Sequence, residues 1–170
     1  MHWQHLPLKS RSGADIFAAL FLRPGKIATL LESPATPGYS RNARYSIAAG
    51  SPKDDRIFTP AIGNIFPFLK QLHQQDLDCG NFPPHLPFVG GWLGWLGYDA
   101  GREIETLPNL KRDRLPFPVA FWYEPEAFAV LDRDLDELWL AAASADKLDR
   151  MIQQLETSDF LPLSPSPTLP

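Results

Sequence analysis

Gly90, Gly91, Gly94 and Gly97 are set among Phe88, Val89, Trp92, Leu93, Trp95, Leu96 and Tyr98 in mid-chain. No other stretch restricts the fold as strongly. Each glycine would cost a helix interior about 1 kcal/mol relative to alanine, so this apolar run is a poor helix. It reads instead as a strand whose glycines let the chain bend and admit a neighbouring backbone or ring. Alternation puts Trp92, Leu96 and Tyr98 on one face and Leu93 and Trp95 on the other. Both faces are apolar, which predicts a central strand between two layers. The 18 prolines in 170 residues favour short strands and loops over a long-helix bundle.

The flanking sequence supplies the other layers. Ser12 and Asp15 mark a helix start, Ile16, Phe17, Leu20 and Phe21 share one face, and Pro24-Gly25 ends it. Residues 27–32 and 44–49 read as strands around a loop at 34–42. A second helix is predicted over 64–75 with Asn64 as its cap, and a short one over 99–105 capped by Asp99. Residues 118–123, 127–131 and 137–143 read as strands, the last two joined as a hairpin. Ser144 caps a final helix, in which Leu148, Met151, Ile152 and Leu155 recur at helical spacing. The prediction is an α+β domain with largely antiparallel β-sheets in a sandwich-like arrangement and three to four helices packed outside. It covers residues 1–160, followed by a Pro/Ser-rich tail or linker at 161–170.

Charge and chemistry exclude several classes. With 16 basic and 20 acidic residues the net charge is -4, against the positive surface nucleic acid requires. A single cysteine, Cys79, rules out a disulfide framework and a Cys-rich zinc site. The histidines at positions 2, 5, 73 and 85 lack metal-ligand spacing; His2 and His5 fall in what reads as a mobile terminus, His73 on a solvent-facing helix side. Glu124 and Glu126 read as an exposed strand connection rather than an acid–base pair. Asp132, Arg133, Asp134, Asp136 and Glu137 read as a solvated charged turn. Phosphate-loop, dinucleotide and nucleophile-elbow motifs are absent. The apolar run at 16–22 is far short of the roughly 20 residues a membrane helix needs, and the first residues do not form a secretory leader. A cytoplasmic protein with no catalytic residues and no metal site is the expectation.

Two stretches go further. The run Leu86-Pro-Phe-Val-Gly-Gly-Trp-Leu-Gly-Trp-Leu-Gly-Tyr-Asp-Ala-Gly-Arg-Glu-Ile-Glu-Thr-Leu-Pro108 resembles the signature of the N-terminal domain of anthranilate synthase component I and aminodeoxychorismate synthase component I, the chorismate-utilising enzymes. Pro87, Phe88, Gly90, Gly91, Gly94, Gly97, Tyr98, Asp99, Arg102, Glu105 and Pro108 are in register with it. The spelling Asp99-Ala-Gly-Arg102 looks more like the aminodeoxychorismate branch. Leu30-Leu-Glu-Ser33, Arg44-Tyr-Ser-Ile47 and Ser51-Pro52 are similar to the family's early strand–loop–strand, so the resemblance covers roughly residues 5 to 160.

The resemblance implies a helper domain. In the family a C-terminal half holds chorismate and Mg²⁺ and replaces a hydroxyl with ammonia from a glutamine amidotransferase subunit. That half is missing here, so the chain alone is expected to be inactive and to hold no cofactor, with the catalytic half and the amidotransferase as its partners. Family members also hold L-tryptophan in this domain. The matching positions are Ser33, Asn42, Ala43, Arg44 and Tyr45. Ser33 would bond the zwitterion, Arg44 would pair with a carboxylate or stack on a ring, and Tyr45 would form an aromatic wall. The alternative is a stand-alone tryptophan-binding or protein-interaction module without enzyme activity.

Overall fold

Two neighbouring strands leave one sheet together and enter another. The computed structural model describes residues 1–33, 43–74, 82–108 and 117–158. In chain order the elements are β1 (His2–Pro7), α1 (Gly13–Leu20), β2 (Thr29–Glu32), β3 (Tyr45–Ala49), β4 (Pro52–Phe58), α2 (Ile65–His73), β5 (Leu93–Leu96), a 3-10 helix (Tyr98–Glu103), β6 (Ala120–Pro125), β7 (Ala127–Asp132), β8 (Glu137–Ala142) and α3 (Ala145–Thr157). A five-stranded sheet has the order β1-β8-β7-β3-β2 and a three-stranded sheet the order β4-β6-β5, with antiparallel pairing throughout. The crossing lies where β3 becomes β4 and β6 becomes β7. There Gly50 N–H donates to Ala127 at 2.9 Å and Glu126 N–H to Ser51 at 2.9 Å, so pairing continues through the corner. A side chain at Gly50 would meet the Phe21 ring at 2.8 Å. This is the predicted α+β class, with the expected antiparallel sheets and outer helices.

β7, Ala-Phe-Ala-Val-Leu-Asp, is buried at every residue because both faces of the larger sheet are covered. On one face Ala127, Ala129 and Leu131 meet Ile16, Leu20 and Phe21 of α1 and Leu148, Met151 and Leu155 of α3. On the other, Phe128 and Val130 pack with Leu93 of β5 and Tyr123 of β6. Each fully buried Leu, Ile or Phe contributes about 1.5–3 kcal/mol to holding these layers together. Local chemistry starts the helices as expected. Ser12 Oγ accepts from the Asp15 amide at 3.1 Å while Asp15 accepts from the Ser12 amide at 2.8 Å, a complete capping box. Ser144 caps α3 through the Lys147 amide.

Several expectations are corrected. The glycine-spaced ribbon is not central: β5 has one strand neighbour, β6, and lies at the edge of the smaller sheet. Its outer positions are open, with Trp95 43% and Tyr98 95% exposed. His2 and His5 belong to β1, paired along its length with β8, so this terminus is ordered. β4 was not anticipated, because Lys53-Asp-Asp-Arg56 does not alternate. It forms as an edge strand, where charge is tolerated, with a register shift between Pro52 and Ile57 and Asp54 at φ 48°. Asn64 makes no side-chain cap for α2. Glu103 does so from the 3-10 helix, accepting from Gly63 at 2.6 Å, Ile65 at 2.8 Å and Phe66 at 3.0 Å. Nor does Asp99 cap the short helix, whose N-cap is Gly97. The expected loop at 34–42 and tail at 161–170 lie outside the described residues.

Candidate functional site

Charged groups collect where β2, β3 and β7 reach their common end. Asp132 closes β7 opposite Tyr45, which opens β3. It follows Phe128 and Val130 on the face turned toward the smaller sheet and is 0% exposed. A carboxylate there needs full compensation. Arg44 supplies it with a two-pronged contact, Nε to Oδ1 at 2.9 Å and Nη2 to Oδ2 at 2.6 Å. The amides of Asp134 and Leu135 add bonds at 3.1 and 3.3 Å. Burial alone would raise the Asp132 pKa; the Arg44 fork and the turn amides outweigh it and hold the carboxyl below its usual range. The same bonds raise the Arg44 pKa above that of a free guanidinium. Residues 132–137 are therefore not simply a solvated turn. Asp132 is a buried anchor, because the strand that delivers it is apolar on both faces.

Tyr45 lines the inter-sheet core beside Trp139 and Phe128. The Arg44 guanidinium lies 4.8 Å from its ring centroid, and its hydroxyl donates to the His85 carbonyl at 3.0 Å. Burial, then the Asp132 charge, pushes its phenol pKa up. Glu137 Oε2 accepts the Trp139 indole N–H at 2.9 Å and lies 3.2 Å from His85 Nε2. His5 packs against Trp139 with centroids 4.6 Å apart. Ligand-type atoms of His85, Asp132 and Glu137 come within 4.8 Å of one another. The trio does not suit a cation: both Asp132 oxygens are taken by Arg44, whose fixed positive charge opposes another.

A second network occupies the helix-facing side. Arg133 bonds Glu32 directly, donates to Ser46 Oγ at 2.7 Å and to the Ala43 carbonyl at 2.7 Å. Glu32 Oε1 also accepts from the Gly13 amide at 2.9 Å and from Ser46 at 3.1 Å. The carboxylate thus sits at the positive end of α1. Of the residues singled out from sequence, Ser33 is exposed one step past the Glu32–Ser46 pair, which sets it abreast of Tyr45. Ala43, Arg44 and Tyr45 join it in this corner, while Asn42 lies outside the described residues. Asp132, Arg133 and Glu32 were not anticipated as its supports. The signal was the first acid of a charged turn, placed at the end of an apolar strand, and an arginine preceding another strand.

The glycine motif lies elsewhere and its geometry is structural. Gly90 and Gly91 take φ of 131° and 96°, open to glycine at little cost. A side chain on Gly94 would stand 1.9 Å from the Phe121 carbonyl, and one on Gly97 2.8 Å from that of Val119. Asp99 and Arg102 make no side-chain hydrogen bond or ion pair among the described residues. The corner is equipped to bind and to brace, and no helix is long and apolar enough to cross a membrane.

Comparison with known proteins agrees with this architecture. An "Anthranilate synthase component I-like protein" of Synechocystis sp. is 49% identical over 99% of this chain, which covers 35% of that protein. "Anthranilate synthase component 1" of Saccharolobus solfataricus is 31% identical over 71% of the chain and 27% of its own length. "Aminodeoxychorismate synthase component 1" of Klebsiella aerogenes is 54% identical over 24% of the chain. The crystal structure of anthranilate synthase component I from Streptococcus pneumoniae superposes with a TM-score of 0.51 at 21% identity, covering 80% of this chain and 32% of the other. No model of a known protein family matches the chain. The chain spans about a third of the length of the first of these relatives.

Proposed function

The chain is a homologue of part of anthranilate synthase component I and aminodeoxychorismate synthase component 1; from that premise we propose that it is the N-terminal, non-catalytic lobe of a chorismate-aminating enzyme. The carrying observation is the 49% identity over 99% of this chain to a relative of which it represents 35%. Chorismate and Mg²⁺ would be handled by the complementary portion, and ammonia would come from a glutamine amidotransferase. The aminodeoxychorismate branch is favoured by Asp99-Ala-Gly-Arg102, although relatives of both names align. The β5 edge suits the complementary portion as a docking face: Trp95 and Leu96 on β5 and Tyr98 just past it are exposed. Mixing the chain with the separately expressed remainder of the Synechocystis relative tests this by light scattering. A one-to-one complex is expected, weakened by Tyr98→Asp; two species that never associate would overturn the reading.

A second reading concerns L-tryptophan at Ser33, Ala43, Arg44 and Tyr45. It is favoured by the gathering of these residues in one corner, with Arg44 pre-oriented by Asp132. Arg44 already spends its fork on Asp132, so a ligand carboxylate would meet its remaining N–H groups and the Ser33 hydroxyl. Calorimetry on the complex should show tryptophan heat that Arg44→Ala abolishes; heat unchanged by that substitution would remove Arg44 from the site.

A further inference from the structure

We propose that a cavity on the opposite side of the larger sheet from β5 binds a small organic anion, a carboxylate or phosphate carried on an apolar body. The cavity is about 310 Å³, within the range of small-molecule sites. It lies between the end of α1, the Gly50–Ser51 corner and one flank of α3. Its floor is apolar, formed by Leu20, Phe21, Ala127 and Met151, all buried. Its rim is basic: Arg23, Lys26, Lys147 and Arg150 line it and no acidic side chain does. In a chain of net charge -4 this concentration does not follow from composition.

The four cations play different parts. Arg23 is held in place by donating to the Ala19 and Leu22 carbonyls at 2.9 and 2.8 Å, which covers the negative end of α1 that would otherwise repel an anion. Lys147 bonds Glu126 at the sheet corner. The side chains of Lys26 and Arg150 make no ion pair or hydrogen bond among the described residues. Their charges face the cavity uncompensated, above a floor that would accept a ring or alkyl group. A second hollow of about 380 Å³ near Leu6 and Ile152 lacks this bias, since Glu156 shares it with Lys9 and Arg11. The proposal is independent of the chorismate reading and of the tryptophan corner.

The test is NMR titration of the folded chain with benzoate, inorganic phosphate and benzyl alcohol. Benzoate should shift the Gly50, Ser51 and Ala127 amides saturably, phosphate more weakly, and benzyl alcohol not at all. Lys26→Glu with Arg150→Glu should weaken benzoate at least about tenfold. Both residues are exposed, and an unchanged melting temperature verifies that the variant folds. No saturable benzoate shift, an equal response to benzyl alcohol, or a benzoate affinity untouched by the double reversal would overturn the proposal. Phosphate binding tighter than benzoate would overturn the role of the apolar floor.

Discussion

At the scale of single residues, the buried charge of Asp132 is the most consequential feature. Its pKa is depressed in the folded state, so the stability it adds is present in full above the unfolded carboxylate range. That stability is lost as pH falls through the folded value. Asp132→Asn keeps the shape but loses the charge-assisted bonds to Arg44. It should cost about 2–3 kcal/mol in urea unfolding at neutral pH and flatten the acid limb of the stability profile. An acid limb as steep as wild type would show that other carboxylates govern it. Gly94 makes a second sharp case. Gly94→Ala forces a methyl group to 1.9 Å from the Phe121 carbonyl, which β5 can relieve only by moving away from β6. A loss of about 3 kcal/mol is expected, with near-ultraviolet changes from Trp95, which stacks on Phe121. That glycine was needed in this run was legible from spacing alone. Which backbone approached it was not, because β6 lies some 26 residues further on and nothing local encodes their pairing.

At the scale of elements, legibility followed how local the determinants are. α1 and α3 were readable because Ser12–Asp15 and Ser144 act within a turn, and the apolar stripes of both helices meet the same sheet face. Leu148→Ala should therefore cost about 3 kcal/mol by calorimetric melting, as for any leucine removed from a closed core. β7 and β8 were readable as a hairpin because Asp132 to Glu137 joins two apolar runs. β4 was not, since an edge strand with a bulge shows charge where a paired strand shows alternation. The α2 cap was hidden for a related reason: the capping carboxylate, Glu103, comes from 38 residues downstream of Ile65. Burial works against its ionisation, but the amides of Phe66, Ile65, Gly63 and Asn64 outweigh that and lower its pKa. Glu103→Gln should speed amide exchange at Ile65 and Phe66 while leaving α1 and α3 unchanged; equal acceleration in all three helices would mean global destabilisation instead.

At the scale of the whole molecule, the two sheets and their helices enclose a core, and the β5 edge of the smaller sheet keeps large apolar groups exposed, Trp95 and Leu96 among them. The ribbon that reads in sequence as the spine of the fold is instead its rim: Tyr98 is 95% and Ile104 76% exposed. The sequence shows that Phe88 to Tyr98 is apolar on both faces, but not whether the second face is covered by this chain or by something it meets. A relative about two thirds of whose own length lies outside the part this chain matches makes the latter the economical explanation. The candidate corner behaves the same way. Ser33, Arg44 and Tyr45 were nameable from a motif, whereas Asp132 and Arg133, which hold them, lie about 90 residues away in sequence. The central claim is that this lobe braces a reaction performed by polypeptide beyond it. The most direct measurement supplies chorismate, ammonia and Mg²⁺ to the purified chain, alone and mixed with the remainder of a relative, and follows aminated product by chromatography. Product only in the mixture is the predicted result; turnover by the chain alone would contradict it.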